Sequence, residues 1–316
     1  MDGQAVLITG GCGFLGVGVA DLLLARDPQT KIILTDIARS PRVDRLPKTV
    51  KYFEADLSEP KNCSAVIKRD IGTIFHFASL VSGGAEAHFE EGYQANVHAF
   101  LNVLEACRLA GHAPRVVFTS SIATFGGDRL PPIVDDYTHQ HPQNSYGVAK
   151  VVGEQFLNDY TRKGFIDGRG TRLPAIVVRD VPNTAASGYA SSIVREPLAG
   201  RNYTCPVHDH MRIPIMSVHR CIEFLVAISE IPGKDLGDYR TINAPGISPT
   251  ASEIAGAVRA SNCARMGEIC FKPDPAVVDI LTAWPREMKA ERAIALGLCG
   301  DASIEEIVSA YINSNI

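Results

Sequence analysis

Along the first half of the chain, short runs rich in β-branched and aromatic residues alternate with longer segments whose apolar positions recur every three or four residues. The runs QAVLITG, KIILTD, VKYFEAD, TIFHFAS and RVVFTSS end in small or acidic residues and predict strands. FLGVGVADLLLARD and YQANVHAFLNVLEACRLAG carry helical spacing, and the second closes on Gly111 as a stop signal. Strands and helices in alternation predict right-handed crossovers and a parallel sheet, the doubly wound α/β plan. A further helix is predicted from the stretch NSYGVAK to about Arg162, followed by the strand GTRLPAIVVR.

The texture changes after Arg179, where Pro182, Pro197, Pro206 and Pro214 divide the chain into short pieces. We expect residues 1–180 to form the sheet domain and residues 181–316 a smaller, mainly substrate-binding region. SVHRCIEFLVAISE and YRTINAPG read as a helix and a strand, so about 214–245 are expected to return to the first domain. Amphipathic helices, SEIAGAVRASN and IEEIVSAYINS, complete the chain.

Composition narrows the function classes. With 316 residues, 46% hydrophobic and 21% charged, and a net charge of −4, this is an ordinary globular composition. Lys and Arg are scattered and acids are in slight excess, which disfavours a nucleic-acid partner. No apolar run approaches the roughly 20 residues that span a bilayer, and no leader pattern precedes QAVLITGG, so a cytoplasmic location is expected. In that compartment the eight cysteines are expected to be reduced. CPVHDH offers few ligands at no zinc spacing, and no metal is expected.

Candidate chemistry begins at LITGGCGFLG, which supplies Gly10, Gly13 and Gly16 between a predicted strand and a predicted helix. Glycines there allow a tight turn and let the backbone approach a pyrophosphate at the helix N-terminus. Asp36 ends the second strand, twenty residues beyond Gly16. A carboxylate at that place accepts hydrogen bonds from ribose hydroxyls and repels a 2′-phosphate, which favours NAD over NADP, although Arg39 and Arg42 follow closely.

NSYGVAK then places Tyr146 and Lys150 four residues apart, on one face of a helix. A free tyrosine ionises only near about pH 10, and a fixed ammonium beside it favours the phenolate. The pair is a candidate base and its tuner.

With the glycine loop, HFAS at His76–Ser79, TSSIATFGG and Tyr-x-x-x-Lys in this order, the chain resembles an extended short-chain dehydrogenase/reductase of the NAD-dependent epimerase/dehydratase kind along its whole length. The strings HFASLVSGGAEAHFEEGYQANV, YTRKGFIDGRGTRLPAIVVR, SIVREPLAG, APGIS and KPDPAVVDI resemble the D-erythronate dehydrogenase branch more narrowly. The resemblance implies a Rossmann fold and bound NAD. It implies Ser121 as the residue orienting the substrate oxygen, Tyr146 as general base, and Lys150 as the group that lowers its pKa and holds the nicotinamide ribose. It further implies cofactor contacts from Gly10, Gly13, Phe14, Leu15, Gly16, Asp36, Asp56, Leu57, Ala78, Asn96 and Pro174, and a structural role for His76. The helices around Gly92 to Leu109 and Tyr146 are implied to pair as a homodimer.

The expected reaction is NAD-dependent oxidation of a secondary hydroxyl of a small polyhydroxy acid, or the reverse reduction. Two other readings share the core: a sugar-nucleotide epimerase or dehydratase with tightly held NAD, and a non-catalytic NAD-binding regulator. On the substrate side Arg195 or Arg212 is expected to meet a carboxylate, with Ser82, Ser121 and Asn183 as further contacts. One departure stands out. VRDVPN puts Asp180 and Val181 where the branch carries a Pro-Gly turn, and an acid pointing inward there would disfavour an anionic substrate.

Overall fold

Seven strands form the central sheet, in the order Thr241–Asn243, Asp167–Leu173, Arg115–Ser121, Ile71–His76, Ala5–Thr9, Ile32–Asp36, Lys51–Glu54. This is a computed structural model, and it describes residues 4–181, 185, 187–261, 263 and 265–315. The five N-terminal strands are β1 (Ala5–Thr9), β2 (Ile32–Asp36), β3 (Lys51–Glu54), β4 (Ile71–His76) and β5 (Arg115–Ser121). β1 pairs in parallel with both β2 and β4, β2 with β3, and β4 with β5. The winding therefore reverses at β1. In such sheets ligands bind beyond the carboxyl ends of the strands flanking that reversal, here β1 and β4. Every residue of β1 is buried, as a central strand covered on both faces requires. The α/β doubly wound fold expected from the pattern is the observed one.

Contacts divide the chain into two compact units. The first comprises Met1–Ser121, Asn144–Arg172 and Ile222–Ile242, the second Ile122–Gln143, Leu173–Cys221 and Asn243–Ile316. Leu7, Ile74, Phe100, Phe118 and Leu157 centre the core of the first. Ile193, Val207, Ile215, Ile254 and Ile307 centre that of the second.

Two elements differ from the sequence pattern. GTRLPAIVVR is not one strand: Pro174 separates Asp167–Leu173, in the central sheet, from Ala175–Val177, which pairs in parallel with Ile215–Ser217. Proline has no N–H for the ladder, so the sheet ends where it stands. The segment read as one helix from Tyr93 to Gly111 contains a π-helical turn at Gln94–His98, between helices Phe89–Tyr93 and Ala99–Ala110. Such turns are rare and frequently mark functional sites.

Candidate active site

The chain leaves β1 through Gly10 at φ +62°, a left-handed conformation natural to glycine. A Cβ at Gly10 would lie 2.7 Å from both the Phe77 carbonyl carbon and the Ala78 nitrogen, so the ends of β1 and β4 meet only because none is there. A Cβ at Gly16 would lie 2.7 Å from the Gly10 oxygen. Helix α1 (Phe14–Arg26) thus starts directly on the turn, with Gly13 as N-cap and no side chain capping it. Phe14 and Leu15 open the helix half-buried.

Asp36 ends β2 with its carboxylate fixed. Oδ2 accepts from the Cys12 amide at 3.0 Å and Oδ1 from the Ile37 amide at 2.8 Å. Backbone without Cβ atoms, an uncapped helix start and an anchored carboxylate are what a dinucleotide's pyrophosphate and ribose require, so the residues present fit such a group. Arg39 is engaged elsewhere: its Nη2 donates to Asp44 at 2.8 Å and its guanidinium lies 5.2 Å from the Tyr52 ring centroid.

Asp56 is exposed, and its Oδ1 accepts from the Ser58 amide at 2.9 Å; Leu57 beside it is buried. The Ala78 amide donates to Thr9 Oγ1 at 3.3 Å. Asn96, in the π-helical turn, fastens the loop after β4. Its Oδ1 accepts from Ser79 Oγ at 2.8 Å and the Leu80 amide at 2.7 Å, and its Nδ2 donates to the Leu80 carbonyl at 2.9 Å. Ser82 opens a short helix, Ser82–Ala87, and is half-buried.

The long helix Ser145–Arg162 starts at Asn144, whose side chain accepts from the Gly147 amide at 2.8 Å. That cap sets where the helix begins and so where Tyr146 and Lys150 stand. The helix packs against β5, the strand that Ser121 ends, and Gly153 makes this close: a Cβ there would lie 2.5 Å from Phe118 Cζ. Lys150 is only 3% exposed. Its Nζ lies 5.2 Å from the Tyr146 ring centroid and 5.0 Å from that of Phe118. Burial pushes its pKa down from 10.5 to about 7, against the opposing pull of Glu154.

His76 is buried 4.7 Å from the Phe100 ring centroid, with Nδ1 at 2.9 Å from Thr9 Oγ1, and burial lowers its pKa to about 3. It is a neutral core residue.

Beneath the helix lies a polar cluster that spacing alone does not single out. Glu154, fully buried, accepts from Arg172 Nη2 at 2.7 Å and Nε at 3.0 Å, from Tyr239 OH at 3.2 Å, and from Ser120 Oγ. Its one signal in the sequence is position, an acid four residues beyond Lys150 on the same helix face.

In the second unit, Pro174 is buried. Arg195 is 6% exposed and donates to Glu196 at 2.8 Å, the Arg179 carbonyl at 2.7 Å and Ser192 at 3.0 Å. Arg212 is exposed and pairs with Glu253 at 3.6 Å. Asp180 is exposed, and Asn183 lies outside the described residues. Among the described residues no helix is long and apolar enough to cross a membrane.

Residues 6–212 match the NAD dependent epimerase/dehydratase family. The chain is 43% identical to D-erythronate dehydrogenase of Cupriavidus necator over 97% of each protein, and 36% identical to D-erythronate dehydrogenase of Haemophilus influenzae over 97% of this chain and 98% of that one. Among solved structures it is similar to a nucleoside-diphosphate-sugar epimerase from Agrobacterium tumefaciens, with a TM-score of 0.90 and 33% identity over 99% of this chain and 94% of that one.

Proposed function

The chain belongs to the NAD dependent epimerase/dehydratase family, and on that premise we propose that it is an NAD-dependent dehydrogenase of a small polyhydroxy acid such as D-erythronate. The observation that carries the reading is the buried Lys150 ammonium beside the Tyr146 ring, together with 43% and 36% identity over 97% of the chain to two proteins named for that substrate.

In this reading the Tyr146 phenolate takes the proton from a secondary hydroxyl of the substrate, and the Ser121 hydroxyl holds that oxygen. Lys150, desolvated and close to the ring, favours the phenolate by its positive charge. A bound nicotinamide supplies the hydride acceptor. Holding the carbinol carbon in line is the remaining contribution of the protein, and alignment of this kind lowers a barrier by several kcal/mol, up to about 10.

NAD over NADP is supported by the anchored Asp36 carboxylate and by the engagement of Arg39 with Asp44. For the substrate carboxylate, Arg212 has the freer side chain, exposed with one ion pair at 3.6 Å, whereas three acceptors already hold Arg195. A homodimer through the helices near Gly92 to Leu109 and Tyr146, and a cytoplasmic location, belong to the same proposal; sedimentation velocity tests the first.

The likeness to the sugar epimerase favours one competing reading, an epimerase with tightly held NAD. Purified protein is mixed with NAD⁺ and a panel of aldonic acids, and the absorbance of NADH is followed. Formation of NADH with D-erythronate, abolished in Tyr146→Phe, is the expected result. Silence across the acids, with NAD co-purifying and a sugar nucleotide converted, would replace this reading by the epimerase.

A further inference from the structure

The cluster around Glu154 is not called for by stability. A carboxylate and a guanidinium taken out of water lose hydration that their mutual attraction only about repays, and apolar pairs of the same volume are often as stable. Yet Glu154 and Arg172 have side-chain exposures of 0% and 1%, in a bidentate pair with Nη2 to Oε2 at 2.7 Å. Around the pair the remaining acceptor capacity is met by hydroxyls, Tyr239 OH and Ser120 Oγ. Arg172 also stacks on the Tyr239 ring, 5.6 Å from its centroid.

What distinguishes this cluster is where its members attach. Ser120 is the residue before Ser121 in β5, and its hydroxyl is bound to the same carboxylate that sits one helical turn beyond Lys150. Tyr146, Lys150 and Glu154 succeed one another at four-residue spacing on one helix face, so the carboxylate lies behind the ammonium as the phenol lies before it. Around the ammonium stand also the Phe118 ring from β5 and the neutral His76 from β4, and the Arg172 guanidinium is paired with the carboxylate behind it. Glu86 and Glu105, on helices packed against this one, are engaged with the Ser145 amide and with Arg108.

We propose that Glu154 is a positioning residue for the reaction: through Ser120 it fixes the strand end that carries Ser121, and across one helical turn it sets a compensating negative charge behind Lys150. Arg172 and Tyr239 hold the carboxylate in that place. The inference rests on the Ser121, Tyr146 and Lys150 reading above.

Charge is removed from the cluster without leaving a buried ion alone in Glu154→Leu/Arg172→Met, made in the full chain. The first readout needs no turnover. NMR of isotope-labelled lysines, with the Lys150 signal assigned by its loss in Lys150→Met, gives the Lys150 titration midpoint. The midpoint is expected to fall by at least about half a pH unit in the double variant, because the carboxylate one turn away acts on the ammonium more strongly than the Arg172 guanidinium paired with it, so losing both leaves the ammonium less favoured. With NAD and D-erythronate, kcat is expected to fall about tenfold while the KM for NAD stays within about twofold, and the alkaline limb of the kcat profile moves to lower pH. An unchanged Lys150 midpoint in a folded double variant overturns the proposal.

Should the double variant fail to fold, Ser120→Ala serves, since it keeps the buried pair and cuts only the tie to the strand. A lowered kcat at constant KM, restored in Ser120→Thr, supports the proposal, and unchanged kcat overturns it. Tyr146→Phe run in parallel separates the two levels. If that variant keeps its activity the catalytic reading fails, whereas the Lys150 titration still decides the role of Glu154.

Discussion

The glycine loop and the long helix solve opposite problems. Around Gly10 and Gly16 the useful feature is missing atoms, since any Cβ would strike backbone at 2.7 Å. Along Ser145–Arg162 the useful feature is charge placed where charge is expensive, Lys150 and Glu154 both being buried. The first region works through shape that only the backbone provides, the second through a few polar side chains in low dielectric. The loop should therefore fail in binding when enlarged, and the helix should fail in chemistry when neutralised.

The largest effect tests the helix. Tyr146→Phe removes one oxygen from the site and should lower kcat by about 10³-fold, within the usual range for a general base, while calorimetry finds NAD affinity within about twofold of wild type. Gly10→Ala should do the reverse. Its left-handed backbone and the backbone contacts predict at least about a 10²-fold weaker NAD affinity and a lower Tm, because both the turn and the β4 end must shift.

Lys150→Met sharpens the contrast, because it should abolish activity yet stabilise the fold. The lysine titrates at about 7 when folded against 10.5 as a free group. Below neutral pH the native core therefore holds a charge that the unfolded chain keeps in water, and this penalty fades as pH rises toward the unfolded value. The Tm gain of Lys150→Met should be about 5 °C or more below pH 7 and shrink steadily through the alkaline range. The smallest effect is expected for Asn144→Ala. Loss of the cap should cost about 1 kcal/mol, seen as a Tm lower by about 3 °C, with kcat reduced less than in any variant above.

These regions were unequally legible. The loop, Asp36 and the Tyr146–Lys150 spacing are local patterns, each contained in a few consecutive residues or one helical turn, and the strand-helix alternation places them. Glu154 is different because its partners Arg172 and Tyr239 stand 18 and 85 residues away. An arginine in a strand pattern reads as exposed until the fold shows what it faces. The same holds for Arg195, whose acceptors include the Arg179 carbonyl, invisible to any side-chain pattern. The break at Pro174 comes from a missing donor, yet the β-rich run around it masks the interruption.

The π-helical turn at Gln94–His98 has a bearing on how the gene can change length. Such a turn accommodates one residue more than a regular helix would hold, so the segments on either side occupy rotational frames about 100° apart. Deleting a single codon there would heal the helix and swing Asn96 away from the loop after β4 that it fastens. Elsewhere on a helix a one-codon loss turns only the residues beyond it, but here it would restore a more ordinary helix while releasing Ser79 and Leu80 from the side chain that ties them down.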